Sequence, residues 1–216
     1  MPLFDPASVQ AQTLRGDWEI FFGAAVVVAI IMFALILLPL LLWRRRGDAL
    51  PPQFKKNRSF AYVYILTPFA LVAVLFYFTF VKERSVDALV PSPYATVDVT
   101  AFRWSWQFVY PHARIRIVGT PQQPPVLVLP LGKITQVNLT SVDVNHAFWI
   151  PYFLFKRDAI AGMTNHFDLT PTRLGTFRGL CAEYCGLDHT LMTFQVKVIS
   201  DADYRRWLAT AGKSTP

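Results

Sequence analysis

Cysteine is nearly absent: the 216 residues include only Cys181 and Cys185, too few for the disulfide scaffold of a small secreted domain. Charge is also scarce, at 16% against 53% hydrophobic residues. An aromatic content of 15% excludes intrinsic disorder over most of the chain. No internal repeat and no low-complexity tract is evident. Two long segments have no charge at all: 23 residues from Ile20 to Leu42, and 23 more from Ser59 to Val81.

A helix of that length covers about 35 Å, enough to cross a bilayer with some tilt. Trp18 and Trp43 stand at the ends of the first run, where interfacial aromatics belong. Asp17 and Glu19 precede it and Arg44, Arg45 and Arg46 close it. This charge order is the reverse of a secretory signal, and no small-residue cleavage motif follows. The run therefore reads as a retained anchor. The second run is more aromatic and contains Thr67-Pro68, where a kink is expected.

The connector carries Arg44, Arg45, Arg46, Lys55, Lys56 and Arg58 against the single acid Asp48. By the positive-inside rule it is cytoplasmic, which puts both termini outside a bacterial inner membrane. Five of the seven net positive charges belong to this loop, so the overall +7 does not point to nucleic acid. The expected organisation is an extracytoplasmic segment (1–17), spans at 18–43 and 59–81 around the loop 44–58, and a linker (82–93). A soluble domain (94–200) and a short helix with tail (201–216) follow.

The soluble half shows short alternating segments bounded by Pro, Gly, Asp and Asn. They lie at 96–102, 114–118, 126–129, 135–141, 165–169, 175–179 and 192–199. Such spacing predicts an all-β antiparallel sandwich or barrel. Ser200 or Asp201 is placed to cap the terminal helix.

Between Cys181 and Met192 the spacing is C-x3-C-x3-H-x2-M, with His189 as the imidazole. Thiolate and thioether donors with imidazole favour copper over magnesium-like ions, and zinc has little use for a thioether. His146 follows a strand read over Asn138 to Val144, and a sandwich can bring such a strand end beside the cysteine loop. Taken alone, the cysteine pair also reads as a local disulfide, and Met192 as a core residue at a strand start. His112 and His166 read as surface or structural. One cysteine suffices for a mononuclear copper centre; two allow both thiolates to bridge a copper pair.

At this point the chain resembles subunit II of the haem-copper cytochrome c oxidases. The resemblance rests on the two spans and on three segments: Phe102-Arg103-Trp104-Ser105-Trp106, Ser141 to Pro151, and Cys181 to Met192. It implies a cupredoxin-like Greek-key domain holding a dinuclear copper A centre. Cys181 and Cys185 would bridge, His146 and His189 would be terminal imidazoles, and Met192 and the Glu183 carbonyl the weak ligands. The Glu183 carboxylate would face a magnesium or manganese ion at the subunit I interface. Trp104 would admit the electron; it and Trp106 share a parity, which puts both indoles on one side of a strand. Implied partners are subunit I, which carries the haems and the oxygen chemistry, subunit III, and other oxidase subunits. The donor would be cytochrome c, or a cytochrome c-type domain of a bc complex in a supercomplex. Electron passage to subunit I would then serve oxygen reduction coupled to proton translocation.

Related subunits of quinol oxidases lack the copper ligands, which are all present here. Nitrous oxide reductase has a similar centre but no pair of spans ahead of it. A membrane-anchored cupredoxin for copper delivery would need neither Glu183 nor the Trp104 motif. Two features depart from the family pattern. From Ala88 onward there are twelve basic residues and eight acidic ones, so steering of a basic donor is weak or reversed. Asp158, Asp168 and Asp188 are the remaining candidates for a local acidic patch. Secondly, Ala61 stands seven residues before Pro68, where a glutamate at a proton channel is often found.

Overall fold

The computed structural model describes residues 2–42, 47 and 57–211. Trp43, the connector residues Arg44, Arg45, Arg46, Asp48, Lys55 and Lys56, and the tail 212–216 lie outside the described residues. The chain divides into two compact units, residues 16–84 and residues 1–15 with 85–216.

The first unit is built from the apolar runs. Helix α1 covers Val9–Leu42 and α2 covers Arg58–Asp87, unbroken through Pro68. Their side chains in the uncharged runs are mostly exposed, as lipid-facing residues of a span are. Asp17 and Lys82 approach to 4.0 Å, so the start of the first span meets the end of the second.

The second unit is a β-sandwich. One sheet holds, in spatial order, β3 (Ile115–Val118), β2 (Ser105–Tyr110), β1 (Ala95–Phe102), β5 (Thr135–Ser141) and β8 (Asn165–Leu169). The other holds β4 (Val126–Pro130), β10 (Thr193–Ile199), β9 (Gly175–Cys181), β6 (His146–Ile150) and β7 (Phe155–Ala159). The expected all-antiparallel pairing is corrected at two places: β1 runs parallel to β5, and β4 parallel to β10. Each parallel pair joins strands distant in sequence, a relation that strand periodicity does not encode.

Alternation fixes the inner faces. Val97, Val99 and Ala101 of β1, Val137 and Leu139 of β5, and Phe194, Val196 and Val198 of β10 are buried between the sheets. At one end the core becomes aromatic. Phe148 stacks on Phe194 at 4.6 Å between centroids, and Trp106 meets both edge-on at 5.7 and 5.3 Å. The terminal helix α3, Asp201–Ala211, is capped by Ser200, whose hydroxyl accepts the Asp203 N–H at 3.1 Å.

The N-terminal segment is part of the sandwich. Ala7 N–H donates to Tyr152 O at 2.8 Å, Val9 N–H to Thr170 O at 3.0 Å, and Thr172 N–H to Ala7 O at 2.9 Å. Ala7 and Ala11 are fully buried. Asp5 pairs with Arg173, whose guanidinium lies over the rings of Tyr152 and Phe177.

Candidate metal centre

Strand pairing assembles the cluster. β6 opposes β9 with Phe148 facing Cys181, and the Ala182 N–H donates to Ala147 O at 3.0 Å. His146, at the head of β6, thereby arrives beside Cys181 at the end of β9. The chain then loops back toward β10, and the Cys181 N–H donates to Met192 O at 2.9 Å, which closes the loop. His146 and Met192 are fully buried, and Cys181 and Cys185 nearly so.

The two sulfurs lie 3.9 Å apart and both cysteines are free. A disulfide needs about 2.05 Å, whereas one metal ion bonded to both thiolates at about 2.3 Å reaches across this gap. Cys181 Sγ stands 3.8 Å from His146 Nδ1 and 3.2 Å from the Glu183 carbonyl oxygen. Cys185 Sγ stands 3.5 Å from His189 Nδ1 and 3.7 Å from Met192 Sδ. Each sulfur thus has its own imidazole. The ligand atoms of His146, Cys181 and Cys185 all fall within 4.8 Å of one another. Two thiols, two imidazoles, a thioether and a carbonyl exceed what a tetrahedral zinc site uses and suit soft copper.

The two thiols and the His146 imidazole titrate under the influence of their neighbours in the cluster. Burial disfavours ionisation of Cys181, but hydrogen bonds with His146 and the Ala147 N–H outweigh it and bring the thiol to about 7. Burial and the neighbouring Cys181 push Cys185 up to about 12. Burial lowers the basicity of His146, yet its bonds to Cys181 and Asp143 raise it overall. Against its own burial, Asp143 is held well below the usual carboxylate range by His146 and by the Val144 and Arg103 N–H groups.

The remaining sequence-predicted residues lie around the cluster or away from it. The Glu183 side chain is exposed. Trp104 is half-buried, and its Nε1–H donates to Cys185 O at 3.2 Å. It lies in the turn between β1 and β2, while Trp106 is a fully buried β2 residue. The shared-parity expectation is therefore corrected, because the strand begins only at Ser105. His112 is exposed and His166 binds Asn138 at 2.7 Å, so neither joins the cluster. Asp168 is buried and accepts the Val90 N–H at 2.8 Å, which removes it from any acidic patch. Asp143, which the sequence reading does not single out, contacts His146 Nε2 at 2.9 Å; the signal for it is an acid three residues before a candidate ligand.

Residues 111–199 match the family model of the cytochrome c oxidase subunit II periplasmic domain. A probable cytochrome c oxidase subunit 2 of Streptomyces avermitilis is 35% identical, over 96% of this chain and 78% of the relative. The chain belongs to the cytochrome c oxidase subunit II family. Cytochrome c oxidase subunit 2 of Corynebacterium glutamicum is 29% identical over 95% of this chain and 74% of its own length. Among solved structures, the periplasmic domain of subunit II from Bradyrhizobium japonicum is 31% identical with a TM-score of 0.54. It covers 59% of this chain and 100% of that domain. The same domain type has been solved as a mixed disulfide with a thioredoxin-like protein, at 32% identity and a TM-score of 0.52 over 58% of this chain and 97% of that one. The chain is thus a subunit of cytochrome c oxidase, with two membrane spans, a periplasmic domain and a His/Cys/Cys/Met cluster consistent with copper A.

Proposed function

We propose that this subunit receives single electrons from a reduced cytochrome c, or from a cytochrome c-type domain, and relays them to the haem of subunit I. Cys181 and Cys185 are the bridging thiolates in this reading, His146 and His189 the terminal imidazoles, and Met192 and the Glu183 carbonyl the weak ligands. When bound, a dinuclear copper centre supplies a one-electron store whose charge is shared between two metals. The observation that carries the reading is the convergence of these donors on two sulfurs 3.9 Å apart.

The protein's part is to hold the donors still and dry. Phe148, Phe194 and Trp106 are interlocked behind His146, and the Trp106 ring lies 6.3 Å from the imidazole. A packed aromatic wall excludes water and resists rearrangement between oxidation states. Trp104 offers an indole hydrogen-bonded to the backbone of Cys185, a short route from the surface to a ligand. Exposed Glu183 offers a carboxylate to a hard divalent cation, magnesium or manganese, toward subunit I.

Leu187 and Tyr184 are 87% and 78% exposed on the ligand loop, and Val142 is 69% exposed beside Asp143. Apolar groups this open suit a donor that docks by contact rather than by charge. Cys185→Ser tests the ligand assignment. The full-length chain in its oxidase is expected to lose the paired-copper signal while keeping its haem. Unchanged copper content overturns the assignment.

A further inference from the structure

Asp143 uses both carboxylate oxygens. Oδ1 lies 2.9 Å from His146 Nε2 and accepts the Val144 N–H at 2.6 Å and the Ser141 hydroxyl at 3.3 Å. Oδ2 accepts the Arg103 backbone N–H at 2.8 Å and the guanidinium Nε–H at 3.3 Å. The first oxygen decides the state of the imidazole. A neutral histidine carries one ring proton, and a carboxylate can only accept. That proton sits on Nε2, which leaves the Nδ1 lone pair facing Cys181. The second oxygen holds a different element, since Arg103 immediately precedes Trp104 in the β1–β2 turn. The Val142 N–H adds a backbone tie to Ala101 O at 3.2 Å.

We propose that Asp143 is a positioning residue that fastens the His146 imidazole and the Trp104 turn into one unit. It sets the tautomer of a ligand at one end and seats the indole at the other. The inference rests on the copper reading given above and deepens it. An amide cannot replace the carboxylate: it accepts on one side only, so Asp143→Asn turns an NH2 group against either His146 or Arg103. Loss of the anion also withdraws electron density from the imidazole, which favours the reduced centre.

The test uses the intact oxidase with Asp143→Asn, and with Arg103→Gln, which keeps the backbone N–H and removes the guanidinium. Asp143→Asn is expected to retain both coppers and to raise the reduction potential of the centre. Electron transfer from reduced cytochrome c should slow by about tenfold. Arg103→Gln should leave the potential unchanged and alter the transfer rate by less than about twofold. A copper-loaded Asp143→Asn oxidase with unchanged potential and unchanged transfer rate overturns the proposal. Should that variant fail to load, the nitrogen-15 spectrum of the copper-free parent chain decides. The Nε2–H tautomer at His146 supports the proposal and the Nδ1–H tautomer overturns it. Absence of a copper pair in the parent oxidase would instead overturn the reading of the site.

Discussion

Trp104 owes its seat to a residue with no side chain. Gly186 has φ 120°, in the region that favours glycine, and a Cβ there would stand 3.2 Å from the indole Nε1. The indole closes over this gap and donates to Cys185 O. Trp104→Phe removes that donor and keeps an aromatic ring. We expect the copper spectrum to persist while electron transfer from reduced cytochrome c slows by at least about tenfold, about 1.4 kcal/mol of barrier. An unaltered rate in stopped-flow mixing contradicts the role given to Trp104. The thiols make a second prediction. Metal binding requires thiolates, so loading displaces protons. Below about pH 7 both Cys181 and Cys185 surrender one, and between about 7 and 12 only Cys185 does. Copper affinity of the metal-free chain should therefore rise with pH, more steeply on the acid side of 7. Calorimetric titration in buffers of different ionisation enthalpy counts the protons. A pH-independent affinity would exclude this picture.

Among the elements, two contacts control the strands that carry the ligands. Gly179 of β9 faces Phe194 of β10, and a Cβ there would lie 2.2 Å from the ring. Phe194 is locked against Phe148 and cannot give way. Gly179→Ala is expected to cost about 1–3 kcal/mol, read as a lower unfolding midpoint and weaker copper retention. The N-terminal segment is the second contact. Ser8 caps α1 by accepting the Ala11 N–H at 3.0 Å and donates to Phe153 O at 3.2 Å. It bridges the β6–β7 connection, and Val9 and Ala7 bond to Thr170 and Thr172 before β9. Ser8→Ala should destabilise the periplasmic unit by about 1 kcal/mol; an unchanged midpoint would show that the strap contributes nothing. The sequence resolved most strands, because alternation at 135–141, 165–169 and 192–199 is clean. It did not reveal β6 or β7, whose runs His146–Ile150 and Phe155–Ala159 do not alternate between buried and exposed throughout, and it marked β2 only by the parity of Trp104 and Trp106. The strap was illegible too, since its partners lie some 145 to 168 residues away.

For the whole molecule, the proposed ligand set was readable because five of its six members crowd between Cys181 and Met192 and the sixth, His146, follows a clear strand. Asp143 and the seat of Trp104 were not, because both depend on which loops the two sheets bring together. The charge balance of the periplasmic part was legible and is sharpened by the fold. Asp168 is buried, and Arg157 is taken up by Asp87. Leu187 and Tyr184, exposed on the ligand loop, make the docking proposed above one of apolar contact more than of charge. Oxidation of soluble cytochrome c by the intact oxidase should therefore show weak or inverse dependence on ionic strength, and a steep fall with salt would contradict this. In the proposed function, Cys181 and Cys185 hold a pair of coppers sharing one electron. Electron paramagnetic resonance of the full-length chain in its oxidase, with copper counted per chain, tests it most directly. A mixed-valence pair gives a seven-line copper hyperfine pattern with two coppers per chain at this site. A four-line signal from a single copper would contradict it.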